Sequence, residues 1–255
     1  LVVYEEEDSF VMTEQHAHAI LSEDFAQNWK EELFLDKDKR DLVLYAIAQH
    51  DRSWINLDES PIWNDNTNEP YTFNDFPISI KLDFYRKGLN EIEEQNLYAA
   101  LLCSIHYTGF FPGEIEDNRI IEFIQAEQRR QKRLLKILDV NEEDKNFIFH
   151  YNLLKFCDNI SLFVCMQEAG ATDLSLHNWF KEGLAQPFSF YHEDTFKVEW
   201  KSEEEIIVHP YPFKGEFEVT IPLRKVKKAH IKEKGILGAF HETRVQSRTV
   251  KIIPN

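Results

Sequence analysis

Two spacings of apolar residues divide this chain. From about residue 13 to 183 the apolar positions recur three or four apart, as on helices; beyond Pro187 they alternate with polar ones, as in strands. In "TEQHAHAILSEDFAQNWKEELF" Leu21, Phe25, Trp29 and Leu33 form one stripe, and Thr13 is the expected cap. A second helix is expected over about 41–54, its inward line running through Val43 and Ile47. A third, over about 89–107, carries Ile92, Ala99, Leu102 and Cys103 on one face. A fourth, over about 144–167, is apolar nearly all round, as a buried central helix would be. "FIQAEQRRQKRLLKIL" predicts a surface helix with one apolar face. The stretch "INLDESPIWNDNTNEPYTFNDFPISI" reads as a long loop, and loops of such length in compact domains tend to carry function.

The alternating region runs through Phe196, Val198 and Trp200, then Ile206 and Val208, then Phe217, Val219 and Ile221, then Val250 and Ile252. Prolines 210, 212, 222 and 254 punctuate it. At the start, "LVVY" and "SFVM" read as two short strands that would pair with the C-terminal ones. The expected fold is therefore mainly α, a helical bundle with a small antiparallel β-sheet, α+β overall. Residues 13–183 would form the helical domain, and 187–255 with 1–12 a β-rich appendage packed on it. The basic run "LRKVKKAHIKEK" reads as a solvated edge, where lysines discourage unwanted pairing.

Composition narrows the classes. With 255 residues, 43% hydrophobic and only 8 glycines and 9 prolines, the chain can bury a large core. A formal charge of -16 argues against gripping duplex nucleic acid. Cys103, Cys157 and Cys165 form no CxxC pair and sit in apolar runs, which suits buried thiols in a reducing compartment. No segment approaches the roughly 18 uncharged apolar residues of a membrane span, so a cytoplasmic protein with no membrane partner is expected. Self-association is compatible with this picture.

Polar residues interrupt the inward stripes at a few places. His18 falls within the first stripe, whereas His16 points to nearly the opposite face. The second stripe continues to His50, with Asp51 at its edge and Trp54 beyond; the third reaches His106. The fourth reads Phe147, Tyr151, Leu154, Asp158, Leu162, Cys165. A carboxylate inside a buried helix costs several kcal/mol unless it is paired, protonated or bound to a cation. Imidazoles are the partners on offer, and histidines converging with two aspartates in an apolar bundle point to a divalent transition metal such as Fe, Mn or Zn.

A histidine, then a His-Asp pair, then a distant aspartate, each on its own helix, resembles the order of the HD-domain metal-dependent phosphohydrolases. More closely, "QHAHAILSEDFAQNW", "AIAQHDRSWINLDESP", "LLCSIHYTGF", "LKFCDNISLFVC" and "VHPYPF" resemble the bacterial, uncharacterised DUF3891 family, which itself looks like a divergent HD-type protein. The resemblance implies an HD-like bundle with metal ligation by His18, His50, Asp51 and Asp158. It places His106 where some HD proteins supply a further histidine. His150 is the one other candidate on the fourth helix and lies off the line of Asp158, so one ion is expected rather than two.

The implied reaction is hydrolysis of a small phosphate ester or nucleotide by a metal-activated water, with Asp51 orienting or deprotonating that water. His106 would touch the substrate or assist as a catalytic group. Trp54, Asp58 and Trp63 would roof the pocket, with Asp58 also an acceptor or an acid. Arg52 is the first choice for a phosphate contact, ahead of Arg86, Lys87, Arg129 and Arg130. Two other readings fit the residues: an HD-fold di-iron oxygenase using His106 with His150, and a non-catalytic, metal-stabilised interaction protein. His177, His192, His209, His230 and His241 have no spacing that suggests metal.

Overall fold

The computed structural model describes residues 1–255 except 173, 174, 186, 187, 189 and 192–194. Pro187, where the pattern changes, and His192 therefore lie outside the described residues. Two short strands, β1 (Val2–Glu5) and β2 (Ser9–Thr13), precede α1 (Gln15–Gln27) and α2 (Arg40–Gln49). A single turn α3 (Ile55–Asp58) and a small ladder of β3 (Trp63–Asn64) with β4 (Glu69–Pro70) lead into α4 (Ile78–Gln95), α5 (Leu97–Thr108), α6 (Asn118–Leu138) and α7 (Lys145–Cys165). Then follow β5 (Leu184–Ala185), β6 (Thr195–Trp200), β7 (Glu205–His209), β8 (Phe217–Lys227), α8 (Lys228–Glu242) and β9 (Gln246–Pro254).

The expected small antiparallel sheet on a mainly helical body does not stand. The strands form one seven-stranded mixed sheet, ordered β1-β2-β8-β9-β7-β6-β5. Its size comes from β8, which pairs with β9 over Phe217–Leu223 and with β2 over Arg224–Lys227, so it joins the N-terminal hairpin to the C-terminal strands. Its mixed character comes from β9, which inserts between β8 and β7 and runs parallel to β7, with Ile206 opposite Ile252. The lysine-rich end of β8 is thus not an edge. Lys225 and Lys228 point to Glu6 and Glu5 instead.

Helix and sheet share one core. Phe25, Ala46, Leu101 and Leu154 belong to the same buried cluster as Val208, Val219, Val250 and Ile252. Trp29 sits at its aromatic centre, with ring centroids of Phe156, Phe188 and Phe213 at 5.5, 5.2 and 6.0 Å. A smaller cluster holds α8 to the hairpin through Phe10, Met12, Val226 and Phe240.

Three helix boundaries differ from those the periodicity predicts. The third predicted helix is two, because Asn96 leaves helical geometry (φ -156°, ψ 111°) and its Oδ1 accepts from Ala99 N at 2.9 Å. The second ends at Gln49 and passes into a 3-10 turn over Arg52–Trp54, so His50 and Asp51 lie on a helix end rather than within a helix. Thr13 belongs to β2 and does not cap α1. The carboxylate that serves the start of α1 is Asp58, whose Oδ2 accepts from Gln15 N at 2.5 Å. Asp58 Oδ1 lies 2.5 Å from the Leu1 nitrogen. No helix among the described residues is long and apolar enough to cross a membrane.

Candidate metal centre

Four helices deliver the polar groups. His18 stands on α1, His50 and Asp51 on the end of α2, His106 on α5 and Asp158 on α7, all buried. Asp158 lies between the imidazoles. Its Oδ1 is 3.0 Å from His18 Nε2 and 3.4 Å from His50 Nε2, and its Oδ2 is 3.3 Å from His106 Nε2. Asp51 Oδ2 is 3.4 Å from His18 Nδ1 and 3.8 Å from His50 Nε2.

Main-chain carbonyls settle the tautomers. His18 Nδ1 is 2.7 Å from Gln15 O, and His50 Nδ1 is 2.7 Å from Ile47 O, each three residues back on its own helix. A carbonyl can only accept, so both Nδ1 atoms carry the proton and neutral rings present bare lone pairs at Nε2. Those lone pairs face the oxygens of Asp158. Acceptor against acceptor at such separations is repulsive unless a proton or a cation lies between them. Among the described residues, neither His50 Nε2 nor His106 Nε2 has a hydrogen-bond partner.

The donor set fits a metal ion. Ligands about 2.1 Å from a first-row cation stand about 3.0–3.4 Å apart in tetrahedral or octahedral arrangements. The three contacts of Asp158 lie in that range. Two groups, His18 with His50 and Asp51, and His50 with His106 and Asp158, each gather ligand atoms within 4.8 Å of one another and share His50. The outer hydrogen bonds to Gln15 O and Ile47 O orient the rings, as metal-bound histidines require.

The field that would hold a cation also holds protons. Burial would lower the pKa of His50, but the carboxylates of Asp51 and Asp158 outweigh it and raise it to about 9. Burial would raise Asp158, yet the imidazoles of His106, His18 and His50 hold it well below the usual carboxylate range.

The centre opens into a cavity of about 360 Å³ lined by His18, Asp51, His106 and Asp158 among others. Trp54 is one wall, its ring edge-on to Phe76 at 5.6 Å and to Tyr85 at 6.0 Å. Arg52 is elsewhere: its guanidinium donates to Glu91 at 2.8 Å and Gln49 at 3.1 Å and lines a separate depression. Asp58 does not line the cavity; it accepts the N–H of Gln15, the residue whose carbonyl meets His18 Nδ1. His16 is half-buried and outside both ligand groups. His150 is engaged on its own, with Nε2 donating to Leu35 O at 2.9 Å and Nδ1 accepting from Tyr98 at 2.6 Å.

Sequence patterning missed Lys81, Tyr85, Phe110 and Trp179, all of which line the cavity. A signal existed: Leu82, Tyr85, Leu89 and Ile92 form a helical stripe with Lys81 at its edge, hidden because "FPISI" reads as loop.

The model of DUF3891, described as a protein of unknown function, matches residues 1–228. The chain belongs to the DUF3891 family. The matched span contains all five groups of the centre and ends at the first residue of α8, leaving the inserted strand β9 of this DUF3891 protein outside it. No curated protein and no solved structure matches the chain.

Proposed function

We propose that this DUF3891 protein is a metal-dependent hydrolase acting on a small phosphate ester or nucleotide. One observation carries the reading: two imidazoles whose Nδ1 protons are spent on i-3 carbonyls aim bare Nε2 atoms at the carboxylate of Asp158. The order of His18, His50, Asp51 and Asp158, which resembles that of HD phosphohydrolases, supports it. His18, His50, Asp51 and Asp158 would hold the ion, with His106 nearby as a further ligand or substrate contact.

A divalent transition metal bound there would supply Lewis acidity toward a phosphoryl oxygen and make a water easier to deprotonate. The chain's own groups do the rest. Asp51 lines the cavity and can orient the attacking water and take its proton at the carboxylate oxygen that the ion leaves free. His106 also lines it and, serving as substrate contact in place of ligand, can pass a proton from Nε2 to the leaving oxygen. Trp54 and Tyr85 form apolar walls that keep bulk water from the reacting group. Asp58 positions His18 through Gln15.

The engagement of His150 by Leu35 and Tyr98 weighs against a di-iron oxygenase built on His106 and His150. The test is elemental analysis of protein purified without chelator or affinity metal, followed by a phosphomonoester panel. Near-stoichiometric divalent metal is expected in the wild type and in His16→Ala, and its loss in His50→Ala and Asp158→Ala. Equal metal content in all four preparations would remove the assignment. Metal that stabilises the fold without turnover of any ester would favour the non-catalytic, interaction-protein reading instead.

A further inference from the structure

The cavity beside the proposed metal centre has two carboxylates in its wall, Asp51 and Asp158, and among the described residues one lysine or arginine, Lys81. That lysine is unusual in its burial, being only 9% exposed. Its Nζ donates to the Phe73 carbonyl at 3.0 Å and the Asn74 carbonyl at 3.5 Å, both on the segment that leads into α4. Among the described residues it forms no ion pair. The carboxylate that acts on it from a distance, Asp75, is taken up by Thr72 and Asn64. An ammonium has three donors, and two carbonyls neither use the third nor neutralise the charge. Burial correspondingly pulls the Lys81 pKa down.

A buried, uncompensated cation held by carbonyls in the wall of a cavity is a poor structural device and a good anion anchor. Here the carbonyls fix its position, so little side-chain freedom remains to be lost on binding. The mouth of the same cavity carries two exposed rings, Phe110 at 42% and Trp179 at 52%. Phe110 packs edge-on over His106 at 4.6 Å, and Trp179 edge-on to Phe73 at 6.0 Å, so one ring stands beside the metal centre and the other beside the segment that holds Lys81.

We propose that Lys81 is the specificity-determining anion contact of this cavity, its Nζ binding a charged oxygen of the substrate's phosphoryl group while Phe110 and Trp179 shelter the rest. The inference rests on the hydrolase reading for its choice of anion. It replaces Arg52, which Glu91 and Gln49 hold elsewhere, as the positive charge of the site.

The probe is inorganic phosphate, titrated calorimetrically into metal-loaded wild type, Lys81→Met and Lys81→Arg, with metal content measured on each sample. Loss of a charge-assisted hydrogen bond predicts binding weaker by about tenfold or more in Lys81→Met. Metal content should be unchanged, and Lys81→Arg should recover part of the loss, which a purely structural lysine would not require. In the unaltered protein, phosphate should slow acetylation of Lys81 by acetic anhydride while leaving exposed Lys87 on the same helix unprotected; this arm decides the matter should Lys81→Met fail to fold. Phosphate binding equal in Lys81→Met and wild type, or no protection of Lys81, overturns the proposal. Protection of Lys81 in a wild-type protein that retains no metal upholds the anion contact and sinks the hydrolase reading, so the two can fail separately.

Discussion

Gly88 is where the packing of the fold meets the geometry of the centre. It sits in α4 opposite the 3-10 turn that follows His50 and Asp51. A Cβ built there would lie 2.2 Å from Ser53 Oγ, 2.7 Å from Ser53 Cα and 2.8 Å from Ser53 N. Two of these are backbone atoms, so rotating a side chain cannot relieve the contact. Carbon contacts sit at about 3.5–4.0 Å, so helix and turn must separate by about 1 Å. Helix propensity alone predicts that Gly88→Ala stabilises by about 1 kcal/mol. Overpacking of this kind costs about 1–3 kcal/mol or more, and the displaced Ser53 also accepts from the Tyr107 hydroxyl at 2.7 Å. The steric cost should win, with net destabilisation of about 1–2 kcal/mol and a fall in Tm of about 2–8 °C for a chain of this size. Because Asp51 lies two residues before Ser53, metal content should fall as well. Calorimetric melts with and without chelator, and elemental analysis, give both readouts. A variant as stable as wild type, or more so, with full metal content, would refute the claim that α4 presses on the metal-bearing turn.

Other expectations follow from the same geometry. In chelated protein His50 has its folded pKa raised to about 9, so the stability its imidazolium contributes is complete below the unfolded value of about 6.5 and is lost as pH rises through about 9. Urea midpoints should therefore drop over that window with chelator and change less with metal; a flat profile in chelator sinks this. His150→Ala strands the Tyr98 hydroxyl and the Leu35 carbonyl and should cost about 1–3 kcal/mol with no loss of metal, whereas metal loss would mean that His150 serves the centre. Asp58→Ala leaves the Gln15 N–H at the start of α1 unpaired, and metal affinity should weaken about tenfold through Gln15 and His18; unaltered affinity would break that chain of contacts.

Local periodicity is strong where an element's neighbours are its own next turns. The stripes through Leu21 and Phe25, through Val43 and Ile47, and through Leu154 and Leu162 are visible in the chain. So is the inward placement of His18, His50, His106 and Asp158, because a helix of about 3.6 residues per turn puts each on a buried line. The strands of the C-terminal third were legible from alternation in the same way. Boundaries were less so: Asn96 breaks a helix by capping the next, and nothing in "EEQNLYAA" forces that choice over continuation.

By itself, then, the residue pattern determined which positions turn inward on α1, α2, α5, α7 and the C-terminal strands, since those follow from repeats a few residues long; it missed the first turns of α4 and the whole of α8. Only tertiary structure decided what each inward group meets. It set β9 between β8 and β7, made one large mixed sheet, tied Arg52 to Glu91 and His150 to Tyr98, and placed Lys81 in the wall of the cavity. Those partners are tens to hundreds of residues apart, and their meeting depends on how whole elements pack, a quantity no short window of the chain contains.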